Sequence, residues 1–353
     1  MQPSTHTHLL PAARTRPPEY AALLPGYPFS ALIFTLALCT AHPLSAMAQS
    51  TSYPSRVVTL INPFSPGAST DIVARVIAQK LTEAWGQTVV VENRPGASGM
   101  IGLTAVARAP ADGHMLGMMI VSHATAAALQ GGGKLAVDLV RDFAPVTQVV
   151  SQPYLIVVNP SLPARSVKEL IALAKAKPGA LTYGSSGIGS VLHLGGELLA
   201  VQTKVQMTHV PYKGAAPALA DVAGGHLMVQ FSTRMSAQPF LSSGRVRALA
   251  VTSSERVPGL DLPTVQESGV TGPYDVNGWY GVVAAAGTPA ATIDRLNQEI
   301  NRILKMPDVR ERMTVEGTIP AGGTPAQFGA MVRAEVEKWR RIIQQAKIAP
   351  ASN

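Results

Sequence analysis

A chain of 353 residues can hold two ordinary domains with sizeable cores or one large α/β domain. Hydrophobic residues make up 46% and charged residues 14%, which excludes a disordered, solvating polypeptide. The formal charge of +8 suits anionic ligands or acidic surfaces, but no Lys/Arg run interleaved with aromatics is present, so no nucleic-acid partner is expected.

The first segment reads as a signal peptide over residues 1–48. Arg14 and Arg16 precede an apolar run at 29–39, about eleven residues long, which is too short for a bilayer and right for a signal core. Ala46-Met47-Ala48 supplies the small-x-small cleavage pattern, placing the mature start at Gln49; the other reading of this run is an interfacial anchor. Cys39 lies inside the run and follows Leu38, which is not the small residue a lipoprotein signal needs. Cleavage after Ala48 leaves a mature chain without cysteine, hence without disulfides or thiolate metal sites. Losing Arg14, Arg16 and Glu19 leaves a charge of about +7.

From Tyr53 onward short apolar runs alternate with amphipathic stretches, the pattern of an α/β fold with largely parallel sheets. Strands are predicted at 57–61 and 89–91, with helices at 72–85 and 99–108; Val73, Val76, Ile77, Leu81 and Trp85 form the stripe of the first helix. Residues 115–121 form a third apolar run, and the Ala/Gly-rich stretch 124–133 reads as a loop or weak helix. Two strands, 146–150 and 155–158, are separated by Ser151-Gln152-Pro153-Tyr154, a crossing point between lobes. Ser166 and Glu169 form a capping box. Strands then follow at 181–183, 205–210, 228–231 and 248–252, with helices at 191–202 and 217–223. A strand at 276–284 leads to Thr288 as N-cap and Pro289 at the first position of a helix running to 304. Thr324-Pro325 with Gln327 repeats the device for a last helix ending near Ala346. Consecutive C-terminal helices break the alternation and suggest a segment packing back on an earlier lobe.

Three segments share one layout of short strand, loop of small residues, then helix. They are Pro63-Phe64-Ser65-Pro66-Gly67-Ala68-Ser69-Thr70-Asp71, Glu92-Asn93-Arg94-Pro95-Gly96-Ala97-Ser98-Gly99 and Tyr183-Gly184-Ser185-Ser186-Gly187-Ile188-Gly189-Ser190. The first amides of a helix lack intrahelical partners, and the helix dipole puts partial positive charge there. Small residues let a ligand reach the backbone, so each loop can cradle a carboxylate. Any one of them alone reads equally as a capped βα turn; three of one composition point to a site. Arg94 reads as a cation for the ligand or as one half of a surface ion pair. Asp71 reads as a first-turn acid complementing the dipole, or as a group for a ligand amine or water.

Catalytic signals are weaker. Gly187-Ile188-Gly189 begins like a dinucleotide fingerprint, but Leu192 stands at the sixth position. Gly184-Ser185-Ser186-Gly187 is one residue short of a nucleophile elbow. His193 reads as a packed or capping residue, and His114, His123, His209 and His226 are scattered without ligand spacing. The expectation is therefore no enzyme, no metal and no cofactor. A bilobal hydrolase using Ser185 or Ser186 and a ligand sensor for a signalling partner are the alternatives.

These loops also carry a resemblance. Tyr53-Pro54-Ser55-Arg56, Asn62-Pro63-Phe64-Ser65-Pro66-Gly67, Thr70-Asp71-Ile72-Val73-Ala74-Arg75 and the run from Val91 through Glu92-Asn93-Arg94-Pro95-Gly96 to Gly99 resemble the Bug family. It continues through the run from Tyr183 to Ser190 with His193-Leu194, then Val210-Pro211-Tyr212-Lys213-Gly214-Ala215-Ala216-Pro217-Ala218-Leu219, Trp279-Tyr280-Gly281, Gly287-Thr288-Pro289 and Leu296-Asn297. Bug proteins are the extracytoplasmic receptors of tripartite tricarboxylate transporters. The resemblance implies a two-lobed periplasmic-binding-protein fold (Venus-flytrap, type II), with the ligand cleft between lobes. Lobe 1 would comprise 49–152 and 277–353, and lobe 2 would comprise 153–276. It further implies a periplasmic monomer that captures a small carboxylate and delivers it to the transporter's membrane subunits. That carboxylate would be an acidic amino acid, a di- or tricarboxylate, or an aromatic acid.

By the same resemblance the ligand contacts fall on Phe64, Ser65, Pro66, Gly67, Ala68, Ser69, Thr70, Asp71, Arg94, Gly96, Ala97, Ser98, Gly99, Ser185, Ser186, Gly187, Gly189 and Ser190. Two positions depart from the family pattern. Gly67-Ala68 replaces Gly-Gly, and Ser232-Thr233-Arg234 stands where the family carries an Asp-Asn-like pair, so Arg234 would favour a second carboxylate if it faces the cleft.

Overall fold

The computed structural model describes residues 53–130, 136–212, 214–315 and 317–348. The signal segment, Cys39, the processing site after Ala48 and residues 131–133 of the Ala/Gly-rich stretch lie outside the described residues.

In chain order the elements begin β1 (Val58–Asn62), α1 (Ser69–Trp85), β2 (Val89–Asn93), α2 (Met100–Ala107), β3 (Met115–Ile120) and α3 (Val121–Leu129). The long strand β4 (Phe143–Val158) and α4 (Val167–Ala176) come next, followed by β5 (Thr182–Ser185), α5 (Val191–Thr203), β6 (Thr208–Pro211) and α6 (Ala215–Gly224). After them come β7 (Val229–Thr233), α7 (Arg234–Ser242), β8 (Arg247–Val251) and β9 (Asn277–Ala285). The chain finishes with α8 (Ala290–Ile303), α9 (Pro307–Val315), β10 (Ile319–Pro320) and α10 (Pro325–Gln345).

The strands form one curled sheet in the order β2-β1-β3-β9-β4-β7-β5-β6, with β8 and β10 also on β4. Parallel pairing joins β1 to β2 and β3, and β5 to β6 and β7, as βαβ connections require. The residues of β4 from Phe143 to Pro153 pair with β9, and those from Tyr154 to Val158 pair with β7 and β8. The sheet thus has two halves that share one strand, the architecture of a two-lobed α/β fold.

The continuity of β4 corrects the expectation of two strands split at 151–154. Ser151, Gln152 and Pro153 pair with Trp279, Gly278 and Asn277, so the ladder runs straight through the segment read as a break. Pro153 costs one donor and no more. Buried Thr252 closes the change of partners: its Oγ1 accepts from the Tyr154 N–H at 3.0 Å and lies 2.7 Å from the Val276 carbonyl.

Of the three capped helix starts predicted from the sequence, one forms as expected and two differ in detail. Thr324 and Gln327 form the expected reciprocal box on α10, at 3.1 and 2.8 Å. Glu169 instead accepts from the Arg165 N–H rather than from Ser166, one residue upstream of the expected box, although Ser166 Oγ accepts from the Glu169 N–H. Pro289, not Thr288, caps α8; the Thr288 hydroxyl turns back to the Ala285 carbonyl at 2.7 Å. The Ala-rich stretch is helical as far as Leu129, within α3, which packs on α10, where Phe328, Val332, Trp339 and Ile343 are buried.

Candidate functional site

The first two loops are tied into one body. Asp71, at the third position of α1, is buried and accepts from the Gly67 N–H (3.0 Å), Asn93 Nδ2 (2.8 Å) and Arg75 Nε (2.9 Å). Asn93 also donates to the Phe64 carbonyl at 2.9 Å, and Asn62 does so at 3.1 Å. Burial raises the Asp71 carboxyl, but the bonds from Arg75, Gly67 and Asn93 outweigh it and hold the group below the usual carboxylate range. Asp71 is therefore the staple that shapes loop one against β2, a role that neither sequence reading, dipole contact or group for a ligand amine or water, contains.

Loop two is held in a sparsely populated conformation. Gly96, Ala97, Ser98 and Gly99 all have positive φ, at 121°, 48°, 54° and 89°. Left-handed alanine and serine are costly and gather where structure needs a special backbone path. At Gly99 the space is also taken, since an added Cβ would sit 2.4 Å from His123 Nε2 and 3.0 Å from Pro63. Arg94 pairs with Glu92 at 2.6 Å on a partly exposed edge, the geometry of a surface ion pair.

Loop three folds around Ser185. The Gly187 N–H donates to Ser185 Oγ at 3.1 Å, Ser190 Oγ donates to the Gly187 carbonyl at 2.8 Å, and Ser190 caps α5 by accepting from the His193 N–H. Gly189 donates to His193 Nδ1 at 3.0 Å, so His193 caps the loop. His209 Nε2 lies 2.7 Å from Ser185 Oγ, and its ring stacks on His193 at 3.8 Å. Burial, then the neighbouring His193, pushes the His209 imidazole down to about 4. Ser185 is fully buried in this network, whereas Ser186 is partly exposed.

Loops one and two touch, and both meet the start of α3: the Phe64 and His123 rings are 6.4 Å apart, and His123 Nε2 faces Gly99. Loop three meets the other end of α3, where an added Cβ on Gly189 would lie 2.7 Å from Leu129 Cδ2. Among the described residues no hydrogen bond or ion pair joins loop three to loops one and two. Arg234 stands apart: it opens α7 and lines a cavity of about 200 Å³ with Arg310, Leu260 and Ile319, which none of the three loops borders. A larger cavity of about 480 Å³, between α3, α10 and residues 136–142, mixes Arg333 and Arg340 with Asp138 and Glu337 and is likewise away from the loops.

Unpartnered polar atoms mark the site better than cavity volume does. Buried polar groups are almost always paired, so each orphan asks for a missing partner. Among the described residues nine buried side-chain atoms lack one, and five of them are Asn62 Oδ1, Ser69 Oγ, Thr70 Oγ1, Ser122 Oγ and His123 Nε2. All five sit at the carboxyl ends of β1 and β3 or in the first turns of α1 and α3, where open α/β sheets take ligands. The sequence alone singles out His123 only as a scattered histidine without ligand spacing, and Ser122 not at all.

The sequence model of the tripartite tricarboxylate transporter family receptor (TctC) matches residues 73–348. The chain belongs to this family. Protein BugT of Bordetella pertussis is 35% identical over 314 residues, covering 89% of this chain and 95% of that protein. The receptor also resembles Rpa4515 of R. palustris, solved with adipate, at 39% identity and TM-score 0.72 over 84% of this chain and 99% of that one. MatC (Rpa3494) of Rhodopseudomonas palustris, solved with bound malate, gives 32% identity and TM-score 0.68 over 82% of this chain and 100% of that one. The receptor is thus a solute-binding protein of the two-lobed fold.

Proposed function

We propose that the protein is a periplasmic receptor that captures a small carboxylate and hands it to the membrane subunits of a tripartite transporter. The orphan hydroxyls of Ser69 and Thr70 at the start of α1 carry this reading, because they are buried donors that a ligand oxygen would satisfy. Loops one and two, from Phe64 to Asp71 and from Arg94 to Gly99, present the carboxylate cradle, and Ser186 to Ser190 closes it from the second lobe. Lobe 1 is assigned residues 49–152 and 277–353, lobe 2 residues 153–276, and the change of partners along β4 supports that division. The signal peptide ends after Ala48, and the receptor acts as a monomer without cofactor. Adipate and malate in the related structures favour a dicarboxylate. Catalysis by Ser185 is disfavoured because its Oγ, unlike those of Ser69 and Thr70, is engaged by the Gly187 backbone of its own loop.

A thermal-shift screen tests this reading, since a ligand that binds only the folded state raises its stability by mass action. Adipate, malate, citrate, glutamate and nicotinate form the panel, and at least one should raise the unfolding midpoint. A flat response to all five would sink it.

Arg94→Ala should weaken binding less than about tenfold, because a partly exposed guanidinium already engaged with Glu92 contributes about 1 kcal/mol or less. Calorimetric titration showing a loss beyond a hundredfold would instead make Arg94 a dedicated ligand cation.

A further inference from the structure

We propose that the first turn of α3 is a fourth donor element of the carboxylate site, with Ser122 Oγ and His123 Nε2 donating to a ligand oxygen beside Gly99. The inference rests on the carboxylate reading above and names residues that reading did not include.

The tautomer of His123 follows from its neighbours. The Ile120 N–H donates to His123 Nδ1 at 2.9 Å, so Nδ1 is an acceptor and the neutral ring carries its proton on Nε2. That Nε2–H is fully buried, and although it lies against the Gly99 backbone it makes no hydrogen bond of ordinary geometry. Ser122 Oγ, one residue earlier, is a second buried group without a partner. Both belong to the nine-residue helix α3, whose first amides add partial positive charge.

Position makes the pair part of the cradle. The His123 ring lies 6.4 Å from that of Phe64 in loop one, and its Nε2 faces Gly99 in loop two. Together with Ser69 Oγ and Thr70 Oγ1, four of the five orphans here can donate, which is the complement of an anionic oxygen pair. Glycine at 99 is required twice over: for its φ of 89° and because a side chain would fill the space at Nε2.

Two variants separate donation from folding. Ser122→Ala removes one donor. His123→Asn keeps an oxygen near the place of Nδ1 to accept the Ile120 N–H but removes the Nε2–H. Calorimetric titration with adipate, malate, citrate, glutamate and nicotinate should show each variant binding about ten- to a hundredfold more weakly than the native protein, as expected for one hydrogen bond to a charged group. In the native protein, nitrogen-15 resonances should place the His123 proton on Nε2 and shift when the bound acid is added. If both variants bind as the native protein does, an ordered water satisfies these donors; the inference falls while the carboxylate reading stands. If the native protein binds none of the five acids, that reading falls and takes the inference with it. An Nδ1-protonated ring in the ligand complex overturns the inference on its own, whatever the stability of the variants.

Discussion

Asp71→Ala should lower folding stability by about 3 kcal/mol and weaken carboxylate binding more than any other single change in loops one and two. The carboxylate is buried and accepts three charge-assisted bonds, each worth about 1.5–3 kcal/mol in isolation. They are not additive, and the Arg75 bond counts for little because that side chain is half exposed. Most of the loss comes from the Gly67 N–H and the Asn93 amide, which are left without their acceptor. The affinity effect follows from the same bonds, since Asn93 belongs to β2 and reaches both Asp71 and the Phe64 carbonyl. Without the staple, loop one is no longer held against loop two, and the donors at Ser69 and Thr70 lose their common orientation. Urea unfolding gives the first quantity and calorimetric titration the second. Asp71→Asn should fall between native and alanine on both, because one amide oxygen can still accept from Gly67. Native-like stability and affinity in the alanine variant would show that Asp71 is only a dipole contact.

Much of the fold was legible because its cues are local. The stripe of α1, the Thr324–Gln327 box of α10 and the strand–small-loop–helix layout need only neighbouring residues to be read. The failures share the opposite property. Pro153 looks like a breaker until its partner Asn277, far along the chain, is known. The helix α3 has an Ala-rich sequence and no capping side chain at Ile120; its stability comes from packing on α10 and from His123 accepting the Ile120 N–H. A proline at 239 and a single buried residue, Ala237, hid α7, although Thr233 caps it by accepting from the Ser236 N–H.

The site divides along the same line. Small residues mark the three loops without help, but the role of Asp71 depends on Asn93, and the partner of Arg94 on the fold of the Glu92 edge. Ser122 and His123 could have been found from sequence as another apolar strand running straight into a first turn with a hydroxyl and an imidazole. The expectation of a loop or weak helix beginning only at 124 concealed that layout. Ser185 was placed in the cradle, yet its hydroxyl is buried against His209 and serves the loop's shape.

Acidification should destabilise the receptor well before its carboxylates titrate. His123 is fully buried, and burial pushes its imidazole down to about 4. An unfolded chain takes up this proton near pH 6.5, whereas the folded protein must wait until about pH 4. The unfolded state therefore binds more protons across that window. Stability is fully present above pH 6.5 and is lost progressively as pH falls toward 4. The displacement from 6.5 to about 4 corresponds to about 3 kcal/mol for His123 alone. His209 acts in the same direction, more weakly because solvent reaches its ring. Asp71 acts in a lower window: its carboxyl is depressed, so its contribution persists above the ordinary carboxylate range and is lost only as pH falls through its folded value. Urea midpoints measured from pH 7.5 to 4.5 should fall steeply in the native protein. His123→Asn keeps the acceptor for Ile120 without a titrating ring, so its midpoint should change distinctly less over the same range. Equal pH slopes in the two proteins would mean that His123 is not held neutral, and the Nε2–H donor assigned to it would lose its physical basis.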